Sequence, residues 1–193
     1  LVNMKRILSY LIVLICFYSC KKNDYQTYYY YYDEKIKVRV LNSEYYICYD
    51  NQDIDSVIQS PIHEKEIIGS GKNLSDSYSF ALIKESLKEE LQKHYVIPYI
   101  TPKMRTENGG EFFVSNTFVV ALRQESDTTL LKQLSDRYNL TITEYKFDTS
   151  YYLLHLYTTK DGNALDLANK FYETGNFEWC CPNFHSNIEL CDN

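Results

Sequence analysis

An α+β fold, closed at its C-terminal end by an antiparallel sheet under two helices, is what this sequence predicts. Three observations predict it. Twenty of the 193 residues are Tyr and nine are Phe, against one Trp, and such aromatics suit the pleated, half-buried surface of a strand. Period-two alternation recurs, as in Ile36, Val38 and Val40 and again in Phe118, Val120 and Leu122, which marks strands with one buried face. Between such runs lie segments whose apolar residues follow helical spacing, clearest in Leu130, Leu134 and Tyr138 and in Leu165, Ala168 and Tyr172.

Composition narrows the function classes. Hydrophobic residues make up 45% and charged residues 24%, so the chain can bury a core and is not a disordered tail. The formal net charge is −6. Binding to nucleic acid needs clustered Lys and Arg against the phosphates, and no such cluster stands outside the N-terminal segment, so no nucleic-acid partner is expected.

The first residues read as an export signal. Lys5 and Arg6 precede the apolar run Ile7 to Tyr18, a basic region followed by a short hydrophobic one. That run is shorter than the roughly 20 apolar residues of a comfortable membrane span. It ends at Ser19-Cys20-Lys21-Lys22. A small residue before Cys at this place resembles a bacterial lipoprotein signal, with Cys20 as the lipidation site and first mature residue. Phe17 and Tyr18 are bulkier than that pattern usually holds; an uncleaved anchor and a plain signal peptide are the other readings. The expected division is a signal peptide over 1–19 and a tether over 20–27. The expected location is the bacterial cell envelope, as an exported, membrane-anchored lipoprotein. Each buried acyl CH₂ contributes about 0.8 kcal/mol, so several chains on Cys20 would hold the protein durably.

Residues 28–110 predict a smaller β-rich α+β subdomain. Tyr28 to Tyr32 and Ile36 to Val40 form two strands around a turn at Asp33-Glu34, and a second turn at Asn42-Ser43 leads to a strand over Tyr45 to Tyr49. The Tyr run supplies both faces of the first strand; an aromatic platform for a sugar or a partner is the other reading. Ile54, Val57 and Ile58 allow a short helix that Pro61 ends. Gly69-Ser70-Gly71 reads as a loop, Tyr78 to Ile83 as a strand, and Glu85 to His94 as a helix with Leu87 and Leu91 on one face. Val96 to Ile100 is a short extended run, and the polar stretch ending in Gly109-Gly110 marks a subdomain boundary.

Residues 111–184 predict the clearest unit. A strand over Thr117 to Arg123 is followed by Ser126 and Asp127, which can cap a helix beginning near Thr128. Strands over Leu140 to Phe147 and Tyr151 to Thr158 come next. Asp161-Gly162 turns the chain, Asn163 caps a second helix, and Gly175 stops it. Phe177 to Cys181 is a short last strand ended by Pro182, and 185–193 is a tail. The order β-α-β-β-α-β is that of the ferredoxin-like arrangement, a four-stranded antiparallel sheet with both helices on one face. The other sheet face is left for solvent or for another protein.

Two stretches carry a family resemblance. One is Tyr28-Tyr29-Tyr30-Tyr31-Tyr32-Asp33-Glu34-Lys35-Ile36, close behind Cys20. The other runs from Asn116 to Phe184 and includes Thr117-Phe118-Val119-Val120-Ala121-Leu122, Leu153-Leu154-His155-Leu156, the run Leu165 to Phe177 with Thr174-Gly175-Asn176-Phe177, and Pro182-Asn183-Phe184. Together they resemble the N-terminal pro-region of the subtilisin-like serine protease (subtilase) lipoproteins of Bacteroides-type bacteria. The segment from residue 116 also resembles subtilisin and fervidolysin-like propeptides more widely.

The resemblance implies an intramolecular chaperone and active-site inhibitor of a subtilisin-like protease domain, in cis or in trans. It places Trp179, Cys180, Cys181, Pro182, Asn183 and Phe184 in a protease-binding tail, and Asp148 as a candidate for contact with a protease helix N-terminus. The family's catalytic segments, Asp-Thr/Ser-Gly, His-Gly-Thr and Gly-Thr-Ser, do not occur, and none of His63, His94, His155 and His185 precedes a Gly. A serine protease needs nucleophile, base and orienting acid together, so no catalysis is expected of this chain. A stand-alone, lipid-anchored inhibitor or binding module is the alternative. Cys180, Cys181, His185 and Cys191 lack the Cys-x-x-Cys spacing of a zinc site, and no cofactor is implied. Disulfides among Cys48, Cys180, Cys181 and Cys191 stay open, since spacing does not give connectivity.

Overall fold

The computed structural model describes residues 27–31, 33–72, 78–144 and 150–186. Cys20 with the leader and most of the tether, Asp148 and Cys191 lie outside the described residues. The protein is an α+β fold with a nine-stranded sheet whose described pairings are all antiparallel.

The chain opens with a hairpin, β1 (Thr27–Tyr31) and β2 (Glu34–Tyr49), in which Tyr31 pairs with Glu34. β2 is one strand of 16 residues, so Asn42-Ser43 is not a turn. The register against the later strand β5 (Tyr99–Thr106) steps from Leu41 opposite Lys103 directly to Tyr45 opposite Pro102. The extra residues bulge out, and pairing resumes with the same partner, which absorbs a local turn signal without reversing the chain.

α1 (Gln52–Ile58) starts at Asn51, whose Oδ1 accepts from Asp53 N at 2.8 Å. Pro61 does end it, but as the first residue of a 3-10 turn, Pro61–Glu66. Gly69-Ser70-Gly71 belongs to β3 (Ile67–Lys72), paired with β4 (Ser79–Lys84), and is not a loop. A Cβ on Gly71 would stand 2.9 Å from the Phe80 ring, so here Gly71 lets an aromatic approach the backbone. α2 (Glu85–His94) buries Leu87 and Leu91 as the spacing predicts.

β5 turns into β6 (Glu111–Leu122) through a tight hairpin closed by Thr106 N–H donating to Gly110 O at 2.9 Å. Residues 109–110 are thus the turn of this hairpin. β6 begins against β5, with Met104 opposite Phe112, and continues between β8 (Tyr151–His155) and β9 (Phe177–His185). One strand therefore serves both halves.

The segment from β6 onward holds the elements that periodicity predicts: α3 (Thr128–Arg137), β7 (Thr141–Glu144), β8, α4 (Ala164–Tyr172) and β9. Asn163 caps α4 by accepting from Leu165 N and Asp166 N, and Gly175 follows with φ +74°. The strand order here is β9-β6-β8-β7. Pro182 does not end β9: the strand runs on to His185, opposite Phe113. Among the described residues β9 pairs on one side only, and an edge strand tolerates a residue without an N–H.

Two cores result. Tyr45, Ile47 and Tyr49 of β2 pack with Ile54, Ile58, Leu87 and Leu91 under α1 and α2. Their neighbours Tyr46 and Cys48 face the other way, into a larger core with Phe118, Val120, Leu131, Leu154, Phe171 and Phe177. Period two along β2 thus gives one layer to each side.

Candidate functional site

The strand registers sort the C-terminal sheet into two faces. Phe118, Val120, Leu154 and Phe177 point to α4, where Phe171 lies 5.2 Å from Phe118 and 5.8 Å from Phe177, ring to ring. α3 joins this core through buried Leu131 and Leu134, and Tyr138 at its end lies 6.2 Å from Phe171.

The opposite face carries Thr117, Val119 and Ala121 of β6, Tyr151, Leu153 and His155 of β8, and Trp179, Cys181 and Asn183 of β9. Asn183 donates to Thr117 Oγ1 at 2.8 Å, and the rings of Tyr151 and Trp179 lie 5.6 Å apart. Tyr151, Leu153, Trp179 and Cys181 are each partly open to solvent. Val119, Ala121 and His155 of the same face are buried.

The six residues expected in a tail are therefore strand residues. Trp179, Cys181 and Asn183 share the open face. Cys180 is buried with the α4 side, and Pro182 is buried too. Phe184 packs against Phe112 at 4.7 Å and Tyr29 at 5.1 Å. A chain that is hydrogen-bonded into a sheet and pinned by rings is not a free arm. His185 lies 5.2 Å from Tyr46 and 5.0 Å from Phe80, and burial pushes its pKa down.

Beside β9 the face falls into a groove of about 560 Å³ lined by Tyr30, Tyr31, Asp33, Tyr151, Tyr172 and Glu178 to Cys181. The Tyr run builds its far wall, which periodicity alone does not reveal: β1 is docked on α4, with Tyr28 and Tyr30 hydroxyls donating to Glu173 at 2.6 and 3.2 Å and Asn169 donating to Tyr28 O at 2.6 Å. Tyr172 donates to Asp33 at 2.6 Å. The Glu173 hydrogen bond raises the pKa of Tyr28 to about 12, and the Asp33 hydrogen bond raises that of Tyr172.

Among the described residues Cys180 and Cys181 form no disulfide. Burial raises the pKa values of Cys180 and Cys181, which favours the protonated thiol. Adjacent on one strand, they point to opposite faces. Among the described residues no group of His, Cys, Asp and Glu is gathered for a metal ion. His63 and Ser86 both bond Glu66, at 3.1 and 2.6 Å. Among the described residues no helix is long and apolar enough to cross a membrane.

Comparison with protein-family models, with curated proteins and with solved structures finds no match to this chain.

Proposed function

We propose that this chain is the pro-region of a lipid-anchored, subtilisin-like serine protease, acting as folding chaperone and active-site inhibitor while itself non-catalytic. The observation that carries the reading is the two-sided C-terminal sheet. Strand order β9-β6-β8-β7, antiparallel pairing and a helix-covered face opposite a half-exposed apolar face together support a ferredoxin-like propeptide domain. On this reading Tyr151, Leu153, Trp179 and Cys181 meet the protease, and lipid on Cys20 holds the complex at the envelope membrane.

The corrected end of β9 refines the inhibitory step. Any segment entering the substrate cleft by strand addition starts beyond His185, so Trp179, Cys181 and Asn183 act through the sheet face. Protease domains rich in non-local contacts fold slowly, and a preformed sheet that docks on them lowers that barrier.

The second reading, a stand-alone inhibitor or binding module, is favoured by one observation: Phe184 and His185 are committed to packing against Tyr29, Phe112, Tyr46 and Phe80, which shortens any arm. One experiment separates the two. The protein, added at micromolar concentration to subtilisin-like proteases of bacterial envelopes, is expected to inhibit at least one and to speed its refolding from denaturant. Full activity and unchanged refolding in every case would remove the pro-region reading.

A further inference from the structure

The groove beside β9 combines three features. Its floor is the edge strand segment Glu178 to Cys181. Its walls hold five aromatic rings, Tyr30, Tyr31, Tyr151, Tyr172 and Trp179. Its charged lining residues are both carboxylates, Asp33 and Glu178. Glu178 is exposed and makes no ion pair among the described residues, whereas Asp33 accepts one hydrogen bond, from Tyr172. Two cations border the lining: Arg123, which donates to Phe177 O at 3.0 Å and acts electrostatically on Tyr172, and Lys35, which is held over Tyr28.

Lys35 also shows how this tyrosine run treats a cation. Its ammonium lies 3.4 Å from the ring centroid of Tyr28 and 5.8 Å from that of Tyr30. Aromatic faces attract cations through their quadrupole, and the far wall of the groove is the continuation of the same strand. An edge strand offers main-chain donors and acceptors to an extended peptide. Rings and two carboxylates beside that edge favour a basic side chain.

We propose that the groove is a docking site for an extended peptide that runs along β9 and places an arginine or lysine between Trp179, Tyr31 and the carboxylates of Asp33 and Glu178. The site does not depend on the pro-region reading, because its occupant is a peptide segment rather than the surface of a protease domain, and no protease is needed to observe it.

Trp179 is the chain's one tryptophan and lines the groove, so its emission reports occupancy directly. The full chain in detergent micelles is titrated with end-blocked peptides of the form Thr-Val-Arg-Val-Thr, with the same peptide carrying citrulline for Arg, and with a neutral maltooligosaccharide. Calorimetry runs in parallel. The Arg peptide is expected to shift the emission and to bind about tenfold more tightly than the citrulline peptide, a ratio suited to one cation–π contact with a carboxylate. Glu178→Gln, an exposed change, is expected to weaken the Arg peptide about threefold and leave the citrulline peptide unaltered. Equal binding of the two peptides, no emission change or binding heat at millimolar peptide, or a response to the oligosaccharide alone would each overturn the assignment.

Discussion

His185 lies nearly parallel to Tyr46, with ring centroids 5.2 Å apart and planes 18° apart. Phe80 completes a cluster of three near-parallel rings, 5.0 Å from His185 and 5.8 Å from Tyr46. The last residue of β9 is thereby tied to β2 and β4, so the two halves of the molecule are joined by a titratable ring.

That ring makes stability depend on pH. Burial lowers the His185 pKa from 6.5, and its two ring neighbours supply no carboxylate. The folded chain then binds this proton less readily than the unfolded chain. The stabilisation is present above pH 6.5 and is lost as pH falls through the lowered value. His185→Phe keeps a ring without the titration. Thermal melts between about pH 7.5 and pH 5 should show the parent's melting temperature falling relative to the variant's. Parallel curves would mean that the imidazole is not held in its neutral form.

A second join is fully buried. The Tyr99 hydroxyl donates to Ser115 O at 2.6 Å and accepts from Ala164 N at 3.1 Å, linking β5, β6 and the start of α4. Tyr99→Phe removes the hydroxyl and strands both backbone groups, which should cost about 2–3 kcal/mol. Urea unfolding followed by Trp179 emission and by far-UV circular dichroism should give coincident transitions at a lower midpoint, as one cooperative unit requires. Separated transitions would support the subdomain boundary expected near residue 110.

The helices were legible because their signals are local. Asn163 and Gly175 bracket α4, and Leu87 with Leu91 marks α2, whatever lies elsewhere in the chain. The strand ends were not legible, because pairing decides them. Asn42-Ser43 and Pro182 carry turn and breaker signals, yet β5 holds β2 on both sides of its bulge and β6 holds β9 on both sides of Pro182. The open face could be read from alternation in 117–123 and 151–155. The groove could not, since its far wall comes from Tyr30 and Tyr31, about 150 residues before Trp179, and nothing in the Tyr run says that it docks on α4.

Gly71 tests the β3 correction. A methyl group there meets Cε1 of Phe80 at 2.9 Å, and Phe80 is stacked on Tyr46 and His185. Gly71→Ala should therefore destabilise by about 1–2 kcal/mol, the range for overpacking a ring that cannot retreat freely. In a solvent loop the same change would be neutral or slightly stabilising. A melting temperature at or above the parent's would return residues 69–71 to a loop.

Leu153 tests the proposed function where stability is least involved. It stands on the open face between Val119 and Thr143 in register and is only partly buried. Leu153→Lys puts a charge at the centre of that face while leaving the α4 side intact. If the face grips a protease, inhibition in trans should weaken tenfold or more, about 1.4 kcal/mol, with the melting temperature nearly unchanged. Lys132→Glu on the exposed surface of α3 should leave inhibition as it was, because that helix lies on the other side of the sheet. Equal inhibition by both variants would move the contact away from the sheet face and toward the chain beyond His185, since only an arm inserted in the cleft would be indifferent to a charge among Val119, Tyr151 and Trp179.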